Sequence, residues 1–233
     1  MKLKIILLIL IISTGLIADD SSDSLWTAAQ NIARANWNWV AGEMQIKISA
    51  LSEDNAEMMS TDLMFSYEME DEDIVGYYDG GKRSGDLVPE NDQIVQEMLK
   101  QDMHPDSASI LLNDGTWNLI VTKTGNNKKI NKKQCTEFTY TCQKPDEDGQ
   151  LTDIKGSMWL EIDSGVPVFN EQVIHPPVEM IKEIKNEIDY DFKKGKWTMK
   201  SVDSITAVEA MGQSVRMKNK AKFKKYLRYE NED

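Results

Sequence analysis

Residues 183–192, EIKNEIDYDF, decide the fold class. Ile184, Asn186, Ile188, Tyr190 and Phe192 share one parity, and Lys185, Glu187, Asp189 and Asp191 share the other, as a strand with one wet face requires. Ile181, Ile184 and Ile188 also fit a helix, so the flanks must arbitrate. Downstream, Lys193-Lys194-Gly195 is a turn, followed by strand-like runs at 197–208 and 214–226 with Met211-Gly212 between them. Upstream lie runs at 116–122, 136–142, 156–162 and 166–173, punctuated by Gly125-Asn126-Asn127, by 145–149 and by Asp163-Ser164-Gly165. This hairpin rhythm favours the strand and reads as one antiparallel meander with almost no helix inside it. Accumulated twist curls so large a sheet strongly, and its concave side then needs an apolar filling, either protein or ligand.

The N-terminal part adds the covering pieces. Residues 22–40 read as a helix with Ser24 as its cap and Leu25, Ala28, Ala29, Ile32 and Ala33 at three- and four-residue steps. From Met44 the pattern alternates (Met44, Ile46, Ile48, Ala50), and a second alternating run carries Leu63, Phe65, Tyr67 and Met69, joined to the first by a polar hairpin end at 52–55. A short β-prone piece at 75–78 ends at Asp79-Gly80-Gly81. Residues 90–101 form a second helix candidate, with Ile94, Val95, Met98 and Leu99 on one stripe, in a connection suited to covering the mouth of the sheet. The expected class is α+β, mostly β: a strongly curved antiparallel sheet with covering helices.

Charge and composition exclude several functions. The 233 residues carry a formal charge of −12, which repels phosphate backbones and argues against nucleic-acid binding. Two His and two Cys cannot supply a Cys/His zinc framework or a multi-disulfide scaffold. Residues 1–18 read as a signal peptide: Lys2 and Lys4, an apolar run from Ile5 to Ile12, then small residues up to Ala18, with Asp19 and Asp20 beyond. A retained N-terminal anchor is the alternative. With cleavage after Ala18, residues 19–233 are expected to form one domain, exported to the periplasm or cell envelope and soluble there.

The segment Gly156-Ser157-Met158-Trp159-Leu160-Glu161-Ile162-Asp163, then Gly165-Val166-Pro167-Val168, then Trp197-Thr198 and a closing strand near 215–226, resembles the outer-membrane lipoprotein carrier (LolA-like) and lipoprotein-sorting family. A tryptophan-bearing strand, an Asp-x-Gly-x-Pro turn at Asp163, Gly165 and Pro167, and a Gly-x-Trp strand at Gly195 and Trp197 carry the likeness. The resemblance implies an antiparallel half barrel closed by helices, with an apolar cavity for acyl chains of lipoproteins or lipids in the periplasm. The acidic segment and helix between Glu68 and Gln101 depart from the family pattern, and no cavity arginine can be carried over.

The apolar cavity is expected to be lined by Met44, Ile46, Ile48, Leu63, Phe65 and Tyr67, with Trp117, Leu119, Met158 and Leu160 beside them. Acyl chains gain about 0.8 kcal/mol per buried methylene, so such a site needs few polar groups. Flexible Met side chains, of which the chain has 13, suit a variable guest, although ordinary core is the commoner use of any one of them.

Arg216, Lys218, Lys220, Lys222 and Lys224 share one strand parity and make a cation ladder. It either docks anionic head groups or an acidic partner, or pairs with Glu183, Glu187, Asp189 and Asp191 alongside. Cys135 and Cys142 lie about 23 Å apart along an extended chain, too far to bridge without a break. His104 and His175 each precede a proline and read as loop or strand-end residues. Asp71, Glu72 and Asp73 lack the spacing of a calcium loop. No catalytic constellation, cofactor motif or metal set emerges. The expected function is non-catalytic: a carrier or binder of lipoprotein acyl chains or lipids, with an envelope membrane protein as a further partner. The alternative is an envelope interaction or sensor module whose core is filled by its own side chains.

Overall fold

The computed structural model describes residues 23–52, 54–70, 73–99, 110–113, 115–145, 149–178, 180–210 and 213–228. The expected signal peptide, Asp71, Glu72, His104 and the expected Met211-Gly212 turn lie outside them. The helix α1 (Ser24–Asn36) comes first. Asp23, not Ser24, caps it, its carboxylate accepting from the Leu25 N–H at 2.8 Å. Trp26, Ala29, Ala33 and Asn36 form the buried stripe at steps of three and four.

The strands follow as β1 (Trp39–Val40), β2 (Glu43–Leu51), β3 (Glu57–Glu70), β4 (Asp73–Arg83) and β5 (Asp86–Leu87). The helix α2 (Gln93–Leu99) and a single 3₁₀ turn at Ile110–Leu112 come next. The rest is β6 (Ile120–Ile130), β7 (Lys133–Pro145), β8 (Leu151–Glu161), β9 (Pro167–His175), β10 (Ile181–Lys193), β11 (Lys196–Ala210), β12 (Gln213–Lys224) and β13 (Leu227–Arg228). Eleven strands form one open antiparallel sheet in the order β5-β4-β3-β2-β12-β11-β10-β9-β8-β7-β6, and β1 pairs with β13. The chain therefore starts mid-sheet, meanders out to the β5 edge, resumes at the opposite β6 edge and meanders back until β12 lies against β2. The result is the curved, unclosed half barrel with covering helices that the strand pattern requires.

Residues 183–192 lie inside β10, so the flanking hairpins decided correctly between strand and helix. The turns at Asn131-Lys132 and Lys194-Gly195 have positive φ at both central residues, the geometry whose twist matches a two-residue hairpin. Two expected turns are instead irregularities within strands. Asp79-Gly80-Gly81 lies in β4 beside the register shift at Met64/Phe65, and Gly125-Asn126-Asn127 lies in β6 beside the shift at Lys123/Asn127. The strand expected from residue 116 begins only at Ile120, which leaves Trp117 and Leu119 in the connection before it.

Two apolar cores sit on the helix-bearing inner face, at opposite ends of the sheet. One joins Trp26, Ala29 and Ala33 of α1 and Ile110 and Leu111 to Val121, Phe138, Tyr140, Met158, Leu160 and Trp197. The other joins Val88, from the connection after β5, and Val95 of α2 to Met44, Ile46, Leu63, Phe65 and Tyr67. A small outer-face cluster holds Cys135, Trp159 and Val168.

Candidate functional site

Cross-strand register defines the inner face residue by residue, because directly paired residues share a face. One transverse row runs Cys142, Ile154, Ile174, Ile184, Thr206, Met217, Ala50 and Met59 from β7 to β3. The next runs Tyr140, Gly156, Gln172, Asn186, Ser204, Asn219, Ile48 and Thr61. A third runs Phe138, Met158, Asn170, Ile188, Val202, Ala221, Ile46 and Leu63. These rows contain no Asp, Glu, Lys, Arg or His.

The second and third rows run from the α1 core to the α2 core, and the first starts in the α1 core and ends at the exposed Met59; the middle of all three lies outside both cores. Ile174, Ile184, Ile188, Val202 and Met217 are only half-buried and belong to neither core. They form an uncharged strip across β9–β12, with Thr206 in the apolar row and an amide and hydroxyl row, Gln172, Asn186, Ser204 and Asn219, beside it. The Tyr140 ring lies over Gly156, where a Cβ would meet its hydroxyl at 2.6 Å, and that hydroxyl donates to Asn170 Oδ1 at 2.9 Å. Burial raises the Tyr140 pKa well above the ordinary phenol value, so it remains a donor.

The residues expected to line a cavity occupy the two ends of this floor. Met44, Ile46, Leu63, Phe65 and Tyr67 pack under Val88 and Val95, with Ile48 partly buried against the same cluster. Met158 and Leu160 pack under α1, with Trp117 and Leu119 partly buried beside them. Leu63, Phe65, Met158 and Leu160 are fully buried by the protein's own side chains, each worth about 1.5–3 kcal/mol. A guest could replace those contacts only at equal loss, whereas the half-buried middle strip still has apolar area to remove from water. The Tyr67 hydroxyl is buried without a partner among the described residues, and burial pushes its pKa up to about 12.

The cation ladder lies on the outer face. Lys220 pairs with Asp203 of β11 at 3.0 Å, and Arg216 donates to Asn55 Oδ1 at 2.9 Å. Pairing with Glu183, Glu187, Asp189 and Asp191 does not occur, because those acids are on β10 and β11 runs between. Lys218, Lys222 and Lys224 make no ion pair with another described residue, although acids flank the ladder on β11, β10 and β3. Two adjoining outer-face grooves of about 390 and 480 Å³ share Thr141 and Lys155. Glu171, Glu187 and Lys185 line the larger one, and the backbone of Gly156, Gln172 and Asn186 is its floor.

Alternation alone found the inner-facing parity of β10 but not the site. Asn186 and Ile188 acquire their meaning only from neighbours on β9 and β11, and Val202 and Gln172 were missed outright.

No family model and no curated protein matches the chain. Among solved structures, a DUF1329 family protein from Desulfovibrio piger is similar at 8% identity over 84% of this chain and 89% of its own, with a TM-score of 0.35. The Pseudomonas aeruginosa MucA/MucB complex is similar at 7% identity over 86% of this chain and 93% of that one, with a TM-score of 0.26. Likenesses this distant carry no argument about function. Among the described residues no helix is long and apolar enough to cross a membrane, and no group of three or more His, Cys, Asp or Glu could hold a metal ion.

Proposed function

We propose that the protein is a non-catalytic binding protein of the cell envelope that takes an acyl chain along the uncharged inner strip between its two cores. The observation that carries this reading is the row Ile154, Ile174, Ile184, Thr206 and Met217, which is apolar but for Thr206, in register across five strands, and half-buried, beginning beside the sealed α1 core and running on toward Ala50 and the exposed Met59. Such a row spans about 19 Å at the usual strand spacing. Apolar area left partly wet in a concave, charge-free surface gains free energy from any chain laid along it, and no proton transfer or nucleophile is needed. Export rests on the N-terminal segment, and residues 19–233 are taken to form the working domain. The cation ladder is then a secondary surface for an anionic head group or an acidic partner.

The test is uptake of a dansylated fatty acid by purified protein freed of endogenous lipid, paired with native mass spectrometry of protein isolated from its own envelope. Saturable fluorescence enhancement and a bound lipid mass support the reading; no uptake and no bound mass sink it. A second reading, an envelope interaction module, draws on the two outer-face grooves and on Ile120, which is 62% exposed beside one of them. It calls for a protein partner whose binding is lost on Ile120→Asp and is indifferent to lipid.

A further inference from the structure

The polar row inside the strip has a chemistry of its own. Gln172, Asn186, Ser204 and Asn219 face the same side on four consecutive strands, each directly opposite the next. Neighbours in such a row are about 5 Å apart at Cβ, within reach of one small bound group. The Asn186 and Ser204 side chains make no hydrogen bond to another described residue. The Gln172 side-chain amide stands 3.3 Å from the Tyr140 hydroxyl, whose proton goes to Asn170 Oδ1. Asn219 Oδ1 is buried without a donor among the described residues. A buried polar atom without a partner is costly, and Asn219 Oδ1 is one; the Asn186 and Ser204 side chains beside it are half-buried and open to a bound group.

The groups on offer are neutral and mixed. Primary amides and a hydroxyl supply donors and acceptors together, while the three inner rows contain no cation for a phosphate or carboxylate and no anion for an ammonium group. An ester presents acceptors only and would leave Asn186 Oδ1 unmatched. A secondary amide presents one N–H and one C=O and matches both kinds of partner. We infer that this row receives the amide linkage of an N-acylated ligand, with the acyl chain lying along the neighbouring Ile174–Ile184–Met217 row. The inference rests on the acyl-chain reading of the same strip and names the linkage that strip selects.

The experiment compares two uncharged, nearly isosteric competitors for a dansylated fatty acid on the purified protein: N-palmitoylglycine methyl ester, and palmitoyl glycolate methyl ester, in which oxygen replaces the amide N–H. The amide should displace the probe at about tenfold lower concentration, the worth of one or two net hydrogen bonds. In Asn186→Val, and independently in Gln172→Leu, that preference should fall below about twofold, with folding checked by thermal melting. Equal displacement by the two competitors on the unmodified protein overturns the amide assignment and leaves the acyl-chain reading standing. So does a preference that survives in both folded variants. Failure of the probe to bind at all overturns both.

Discussion

The side-chain oxygen of Asn36, at the end of α1, accepts the backbone N–H of Trp197 at 3.0 Å. That N–H lies in buried surroundings, and the Trp197 indole N–H in turn donates to the Pro167 carbonyl at 2.9 Å. Helix, β11 and the start of β9 are thus tied at one point, with Asn36 only 7% exposed. Replacing Asn36 with Leu keeps the volume and removes the acceptor, leaving a buried N–H unpaired. The expected loss is about 1–3 kcal/mol, read as a lower urea midpoint at unchanged slope. An unaltered midpoint would show that the tie contributes nothing.

Gly165 has φ +71°, and a Cβ there would stand 2.7 Å from the Ala28 Cβ and 2.9 Å from the Leu25 carbonyl. The Glu161–Gly165 turn, closed by the Gly165 N–H donating to the Glu161 carbonyl at 2.8 Å, is pressed against the helix. Gly165→Ala combines a left-handed backbone penalty of about 1–2 kcal/mol with a backbone clash that cannot relax locally. Its melting temperature should fall by several degrees, with faster amide exchange in α1. A variant that melts like the parent would refute the contact.

Alternation was enough to read most strands, and it failed where tertiary context overrides it. Ile184 and Ile188 were placed correctly because turn residues bracket them. Gly80 and Gly125 carry the local chemistry of a turn, but their strands continue through them as bulges, which composition cannot separate from reversals. The candidate site was less legible. Leu63, Phe65 and Met158 have the right parity for a ligand surface, yet what covers them comes from Val88, Val95 and α1, remote in sequence. The pairing of β2 with β12, which puts Ala50 next to Met217, joins residues at opposite ends of the chain and has no local signature.

Two buried thiols provide a check on strand placement. Cys135 and Cys142 are seven residues apart on β7, so they project from opposite faces, one into the outer cluster and one into the α1 core. Burial pushes the Cys142 thiol up to about 11 and raises Cys135 as well. Native protein at pH 8 should resist a thiol reagent, and two thiols should titrate on unfolding. A Cys135–Cys142 disulfide in the monomer, a mass two hydrogens lower without reductant, would contradict this register.

Acid stability follows from two ion pairs. Burial alone would raise the Asp23 carboxyl, but the Lys123 ammonium at 2.9 Å and the Leu25 N–H outweigh it and hold the group below the ordinary range. Glu161 behaves alike: burial opposes its charge, and Ser164 and Lys133 prevail. Because the folded values are depressed, this stability is fully present above the unfolded pKa values near 4 and is lost as pH falls through the folded ones. The urea midpoint should therefore drop on acidification below about pH 4.5. The Asp23→Asn, Glu161→Gln double variant should show a shallower decline, and an identical decline would exclude these pairs as its source.

The two kinds of inner-face residue should separate cleanly under mutation. Leu63 is 1% exposed beneath α2, so Leu63→Ala removes packed volume and should cost about 2–5 kcal/mol of stability. Ile184, half-buried on the open strip, has fewer neighbours to lose. Ile184→Ala should cost under about 1.5 kcal/mol, because water already reaches part of the side chain. Ligand binding should invert that order: a folded Ile184→Glu protein, with a carboxylate in the middle of the apolar row, should fail to take up a dansylated fatty acid, whereas Leu63→Ala assayed well below its melting temperature should retain uptake. The opposite pattern, uptake abolished at Leu63 and intact at Ile184, would move the binding site from the strip into the α2 core and require that core to open for its guest.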